Sequence, residues 1–167
     1  MTDDAVLSVL DDLVGKARAA GADAADAVAV RGDSLSVAWR RGALEHVERS
    51  EGEDIGLRVL VGQRQAAASS ADRSPTALAA LVERVVAMAK AAPKDPTAGL
   101  ADPSQLARDW PDLDLYDASE PSVEALQTLV GEAEEAMLAV PGVSTNSEGA
   151  EAGWGRAALA VAASNGF

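Results

Sequence analysis

The stretch from residue 55 to residue 92 constrains the fold most, because it combines an alternating strand, a tight turn, a returning strand and a helix. Apolar side chains recur at every second position from Ile55 to Val61, as in a strand with one buried face. Gly62-Gln63 is a turn candidate, and residues 64–70 suit a strand that returns antiparallel. The sequence therefore predicts a central hairpin with Val59 in the core.

A helix is predicted directly after this hairpin. Ser74 can accept hydrogen bonds from the free backbone N–H groups of its first turn, and Pro75 suits that turn because its missing N–H has no intrahelical partner there. The face expected to lie on the sheet is formed by Leu78, Leu81, Val82, Val85 and Ala89.

An amphipathic helix is predicted near the start of the chain, over residues 4–20. Gly21 is a natural end for it. Its apolar stripe consists of Val6, Leu10, Leu13, Val14 and Ala17.

Three short strands are predicted between this helix and the hairpin. They are Asp26–Arg31, Ser34–Arg40 and Ala43–Glu51. Turn signals at Gly32-Asp33 and Arg41-Gly42 and a lead-in at Gly52-Glu53-Asp54 separate these strands and the hairpin. The last strand is polar, which indicates an edge strand or a strand exposed on both faces. Four or five antiparallel strands in a row indicate a meander.

Residues 93–121 contain five of the seven prolines of the chain. Proline lacks a backbone donor and restricts φ, which predicts an extended connector with at most short helical turns. Such a long connector is either functional or a strap across the sheet. We expect it to be pinned by Trp110, Leu113, Leu115 and Tyr116.

A third helix is predicted from Val123 to Ala139, capped by Ser122 and ended by Pro141-Gly142. Its expected buried stripe is Leu126, Leu129, Val130, Ala133 and Met137. Two strands are predicted after it, at Val143–Glu148 and Gly153–Ser164.

The expected architecture is one α+β domain over residues 1–167, an antiparallel sheet of hairpins covered by two or three helices. Residues 1–92 supply helix, meander sheet and helix, residues 93–121 the connector, and residues 122–167 a helix plus strands. Asn165-Gly166 is a strong hairpin signal without a returning strand, which predicts the N-terminal part of a longer protein.

Composition excludes several classes of protein. The net charge of -13 disfavours direct contact with nucleic acid, whose phosphates it would repel. The absence of cysteine excludes disulfides and thiolate metal sites. The chain has no apolar run near the ~20 residues that span a bilayer and starts with an acidic segment where a signal peptide would be basic. We therefore expect a cytoplasmic protein without membrane contact.

The candidate residues for chemistry are few. His46, the only histidine, lies on a charged strand and is expected at the surface. Segment 69–72, Ser-Ser-Ala-Asp, precedes a helix and either caps it or receives an anion or a peptide carboxylate.

Two groups of carboxylates are the remaining candidates for a metal-binding or catalytic site. The first, in the connector, is Asp109, Asp112, Asp114 and Asp117, expected to be a solvated loop because the glycine and final glutamate of a calcium loop are absent. The second, Glu132, Glu134 and Glu135, is expected on a solvated helix face. The sequence thus assigns no catalytic, cofactor-binding or metal-binding residue.

Several motifs in preserved order resemble the N-terminal domain of the TldD/PmbA family, over residues 5–167. They are Gly56-Leu57-Arg58-Val59, Ala68-Ser69-Ser70-Ala71-Asp72, Ser74-Pro75, Asp95-Pro96, Ala98-Gly99-Leu100-Ala101-Asp102, Pro111-Asp112-Leu113-Asp114-Leu115-Tyr116, Asn146-Ser147-Glu148-Gly149 and Ser164-Asn165-Gly166-Phe167. The connector motifs and those after the third helix are most similar to the PmbA/TldE branch.

The resemblance implies a bacterial subunit of a zinc metallopeptidase complex that processes or degrades peptides, in a family also called modulator of DNA gyrase. It implies a TldD-like partner that carries the zinc in an HExxxH motif, which no position here matches. On this basis the chain has no zinc, cofactor or catalytic residue of its own, and it pairs with a TldD-like subunit or with itself.

Two alternatives stay open. The chain could be the N-terminal domain of a TldD-like catalytic subunit whose zinc motif lies further along a longer sequence. It could instead be a stand-alone module that captures peptides by strand addition at the sheet edge near Ala43–Glu51.

Overall fold

The computed structural model describes residues 3–144 and 148–167. Its elements in chain order are α1 (Asp3–Ala19), β1 (Ala24–Arg40), β2 (Ala43–Val61), β3 (Arg64–Ser70), α2 (Pro75–Ala91), α3 (Val123–Leu138) and β4 (Ala150–Ala163). The strands form one antiparallel sheet in the order β3-β2-β1-β4. The predicted α+β class, with an antiparallel sheet and three helices, is confirmed.

Strands β1 and β2 are longer than expected, with 17 and 19 residues. The turn expected at Gly32-Asp33 and the break expected at residues 52–54 are therefore wrong. The reason lies in charge pairs that hold turn-prone residues in extended backbone. An oxygen of the Asp33 carboxylate accepts a hydrogen bond from Arg156 on β4 at 2.9 Å, and Glu53 on β2 forms an ion pair with Arg73.

Two compact units divide the chain. The first comprises residues 1–31, 52–111 and 158–167, and the second residues 32–51 and 112–157. The expectation of a single domain over residues 1–167 stays a prediction.

The core of the first unit lies between the sheet and the helices α1 and α2. The predicted hairpin is confirmed, with β2 pairing antiparallel to β3 from Ile55↔Ser70 to Val61↔Arg64. The predicted stripes are confirmed too. Their buried members are Leu10, Leu13, Val14, Ala17, Ile55, Leu57, Val59, Leu78, Leu81, Val82, Val85 and Ala89.

Serine caps begin helices α2 and α3. The hydroxyl of Ser74 accepts a hydrogen bond from the Ala77 N–H at 3.3 Å, and that of Ser122 accepts one from the Ala125 N–H at 3.2 Å. Pro75 occupies the first turn of α2. Both predicted N-termini are confirmed, because each cap satisfies a donor that the helix itself cannot pair. None of the described helices is long and apolar enough to cross a membrane.

The connector is irregular apart from one 3-10 turn at Pro103–Gln105, as predicted. The Asp95 N–H donates to the Gln63 carbonyl at 2.6 Å, and the Asn165 amide donates to the Ala101 carbonyl at 2.9 Å. Gln63 lies in the turn between β2 and β3, whereas Asn165 follows β4, the strand at the other edge of the sheet. Residues 95–101 thus form a strap, one of the two roles expected.

The four residues expected to pin the connector are not buried, although the side chain of Tyr116 forms a hydrogen bond with Arg156 on β4. Trp110, Leu113, Leu115 and Tyr116 are all exposed, Leu115 by 87%. The expectation is wrong because backbone and amide hydrogen bonds fasten the strap at residues 95 and 101, before this apolar segment begins.

The second unit has its own small core, in which α3 packs on the sheet. Its buried members are Leu35, Val37, Leu126 and Val130, with Trp39 and Trp154 packed against them. The stripe predicted on α3 is partly wrong, since Leu129 is 55% exposed and Ala133 is exposed as well. The buried face instead follows a spacing of four residues and continues to Glu134.

The region between α3 and β4 also differs from the prediction. No strand includes Val143, Ser144 or Glu148. The remainder of the expected strand, residues 145–147, lies outside the described residues, as do Asn146 and Ser147 of the family-like motif. The last predicted strand is confirmed, although it begins earlier, at Ala150.

Replacing Gly149 with alanine should destabilise the second unit by about 2 kcal/mol. Its φ is +86°, and an added Cβ would lie 2.7 Å from the Trp39 carbonyl oxygen. Urea unfolding of both variants measures the loss. Gly153→Ala is the matched control, since its Cβ would meet its nearest neighbour at 3.8 Å. Equal stability of the two variants would contradict the close packing at Gly149.

Candidate functional site

The tip of the β1–β2 hairpin is held by a buried carboxylate. Arg41 and Gly42 have φ of +55° and +73°, the left-handed backbone typical of a two-residue hairpin turn. The N–H groups of both donate to the two oxygens of Glu134, each at 2.7 Å. Glu134 is only 3% exposed, so α3 fixes the hairpin tip through a charge-assisted bridge.

Glu134 is a residue whose role the sequence analysis missed, and its expected place on a solvated face is wrong. Glu132 and Glu135 are exposed as expected. The signal was present in the spacing, because Glu134 follows the buried Leu126 and Val130 at intervals of four residues. A charged residue that continues an apolar stripe is a candidate for a buried polar contact.

Beyond this tip, the outer part of β2 is exposed along its whole length. Every residue from Ala43 to Asp54 is exposed, and β3 pairs with β2 only from Ile55 onward. On this side of β2, residues 43–51 have no neighbouring strand among the strands described. We call residues 43–51 the β2 edge; the predicted edge strand is confirmed.

Charged groups organise the surface of the β2 edge. Arg49 donates to Glu51 at 3.0 Å and to Glu120 at 3.1 Å, and these bonds, the one to Glu51 first, raise the pKa of Arg49. Arg40 pairs with Glu45. His46 is exposed on this edge, in the surface position expected. The arrangement is a ladder of exposed charges, which is typical of strands that must resist unselective pairing.

In segment 69–72, Ser69 and Ser70 end β3, and Ala71 and Asp72 lead from it into α2. The Ser74 N–H donates to the Asp72 carboxylate at 2.8 Å, and this bond is the main cause of the lowered pKa of Asp72. The Asp72 N–H donates to the Ser70 hydroxyl at 3.2 Å. Because a carboxylate already lies at the start of this helix, an incoming anion would meet negative charge, which favours the capping role.

The aspartates of the connector do not converge. The carboxylate of Asp112 accepts a hydrogen bond from the Asp114 N–H at 3.0 Å, and that of Asp117 accepts one from the Ser119 N–H at 2.8 Å. The carboxylates of Asp112 and Asp117 therefore each stabilise a local turn. Within residues 3–144 and 148–167, no group of three or more His, Asp or Glu side chains could hold a metal ion.

The hydrogen bonds to aspartates in the local turns of the connector predict that the folded chain is less stable in acid. Hydrogen bonds from Thr97, Ser104 and Ser119 lower the pKa of Asp95, Asp102 and Asp117 respectively. A folded-state pKa below the unfolded value contributes stability that is present above the unfolded pKa and is lost as pH falls through the folded one.

The melting temperature should therefore decrease as pH falls below about 4, the ordinary range of aspartate. Thermal unfolding followed by circular dichroism tests this, with an Asp95→Asn, Asp102→Asn, Asp117→Asn variant as the comparison. The variant should lose part of the acid dependence. An unchanged dependence would show that these turns do not cause it.

A cavity of about 470 Å³ lies in the first unit. Its apolar lining comes from Val6, Leu7, Ala29, Ile55, Leu159 and Ala160 among others. Arg31, Glu53, Asp54 and Arg73 supply its polar lining, and Glu53 pairs with both arginines. The formal charges cancel, so the lining does not select an anion or a cation. The cavity was not predictable from a motif, because its residues come from five separate segments.

Comparison with known proteins identifies close relatives. A family model described as PmbA/TldA metallopeptidase domain 1 matches residues 25–89. Metalloprotease PmbA of Escherichia coli O157:H7 is 35% identical over 147 residues, which is 88% of this chain and 32% of that protein. The chain thus spans about a third of the length of this relative.

Solved structures show the same fold. A Bacteroides thetaiotaomicron protein named as a modulator of DNA gyrase superimposes with a TM-score of 0.83 at 20% identity, over 96% of this chain and 37% of that one. TldE of Thermococcus kodakarensis superimposes with a TM-score of 0.75 at 16% identity, over 95% and 35%. The similarity covers nearly all of the chain.

Proposed function

The chain belongs to the PmbA/TldD metallopeptidase family, and from this premise we propose that it is the N-terminal domain of a PmbA/TldE-type subunit. In this proposal the subunit forms part of a cytoplasmic TldD/TldE-type zinc metallopeptidase complex that processes or degrades peptides. The observation that carries the proposal is the 35% identity to Metalloprotease PmbA over 88% of the chain.

The proposal gives this chain a non-catalytic role. Zinc in a peptidase is usually held by three side chains, most of them histidine or carboxylate. The described residues include a single histidine, exposed on the β2 edge, and no suitable group of three ligands. These residues do not fit a zinc site, so no step of peptide hydrolysis is assigned to them.

The proposed partner is a TldD-like subunit that carries the zinc. Under this proposal the sheet and helices described above are scaffold, and the exposed connector is the surface left for contact with the TldD-like subunit. The charge of -13 supports a polypeptide rather than a nucleic acid as the ligand of the complex.

Reconstitution of peptidase activity tests this function. The chain and a TldD-type subunit from the same source are assayed separately and together on an unstructured peptide. We expect hydrolysis by the mixture, its loss on metal chelation, and none by the chain alone. Zinc-dependent hydrolysis by this chain alone would contradict the non-catalytic role, and a mixture no more active than the TldD-type subunit would contradict the pairing.

A further inference from the structure

The β2 edge carries the features of a site for strand addition. Its nine residues, Ala43–Glu51, are all exposed, and the pairing of β2 with β3 begins only at Ile55. An unpaired strand edge presents a row of free N–H and C=O groups that another extended chain can bind. Because Glu134 fixes the tip of this hairpin, the edge is held ready for pairing and needs little ordering.

The charge of the edge indicates the chemistry of its ligand. Three glutamates and one arginine, Arg49, lie between residues 43 and 51, which gives a formal charge of -2 by counting three negative and one positive side chain. Leu44, which precedes Glu45, and Val47, which lies between Glu45 and Glu48, are 43% and 40% exposed. A complementary strand therefore carries lysine or arginine, with apolar residues interspersed.

The size of the edge indicates a peptide rather than a second folded subunit. A nine-residue strand is about 30 Å long, and a single strand edge buries far less than the roughly 800 Å² per partner typical of stable interfaces.

We propose that the β2 edge binds extended cationic peptides by strand addition. The inference rests on the proposed function, because it names the class of peptide that the complex would receive, and it assigns to this chain a binding role separate from hydrolysis.

Fluorescence anisotropy with a labelled peptide of alternating lysine and valine, about nine residues long, tests the proposal on the chain alone. Glu48→Lys/Glu51→Lys should weaken binding at least about tenfold through charge repulsion. The matched control is Glu132→Lys/Glu135→Lys, which changes the net charge equally at exposed positions of α3 and should change the affinity less than about twofold. A peptide methylated at alternate backbone nitrogens should not bind, because it cannot donate to the edge.

Three results would overturn the proposal: equal weakening by the two double variants, equal binding of the methylated peptide, or no binding of the unmodified peptide by the folded chain. None of them bears on pairing with a TldD-type subunit. Conversely, a failed reconstitution with intact peptide binding would refute the subunit assignment and leave the β2 edge as a peptide site.

Discussion

Replacing Val59 with aspartate should unfold the first unit. Val59 is 0% exposed near the end of β2, in the part paired with β3, among the apolar side chains that pack under α1 and α2. A carboxylate at this position loses its hydration and finds no cation, at a cost of about 4 kcal/mol or more. Because small domains are stable by only about 5–15 kcal/mol, this loss removes a large share of the free energy of unfolding and should strongly lower the urea midpoint. Urea unfolding followed by far-ultraviolet circular dichroism measures the effect.

Val47→Asp is the matched control for this prediction. Val47 lies on the same strand but is 40% exposed, so its aspartate remains hydrated and should change stability by less than about 1 kcal/mol. A wild-type unfolding curve for Val59→Asp would show that the sheet and its core are assigned wrongly.

Glu134→Ala should destabilise the second unit by about 3 kcal/mol. The substitution removes the acceptor of two hydrogen bonds of 2.7 Å from Arg41 and Gly42. Trp39 and Trp154 pack against the core of this unit, so tryptophan fluorescence during urea unfolding reports its loss. The free energy of unfolding of Glu134→Gln should lie between those of the unsubstituted protein and Glu134→Ala, since the glutamine amide oxygen keeps one acceptor.

Glu135→Ala provides the control at an exposed neighbouring position. It should alter the free energy of unfolding by no more than about 0.5 kcal/mol. If Glu134→Ala were as stable as Glu135→Ala, the bridge from α3 to the hairpin tip would not contribute to stability, and the hairpin would depend on its turn alone.

Local sequence signals predicted the elements whose stability is local. The alternation around Val59, the serine caps at Ser74 and Ser122, and the turn at Arg41-Gly42 each have a signal in neighbouring residues, and all were confirmed. Propensity rules describe such features well, because the hydrogen bonds and side-chain contacts involved span only a few positions.

Features held by distant contacts were not predictable. The local sequence predicts a turn at Asp33. In the structure, Arg156, 123 positions away, pairs with Asp33 and keeps β1 extended. The local sequence predicts a surface position for Glu134. In the structure, its carboxylate accepts a hydrogen bond from the Arg41 N–H at the hairpin tip, 93 positions away. The length of β1 and β2 and the exposed β2 edge follow from these pairs, so the sequence indicated an edge strand at residues 43–51 but not its continuity with the core hairpin.

Native mass spectrometry of this chain mixed with a TldD-type subunit reports the composition of the complex and the location of zinc together, and so tests the assignment as a non-catalytic subunit. We expect a complex of the two polypeptides in which zinc remains with the TldD-type subunit after dissociation, and a metal-free mass for this chain. Zinc retained by this chain alone, or two subunits that stay separate at micromolar concentration, would contradict the assignment as a non-catalytic subunit.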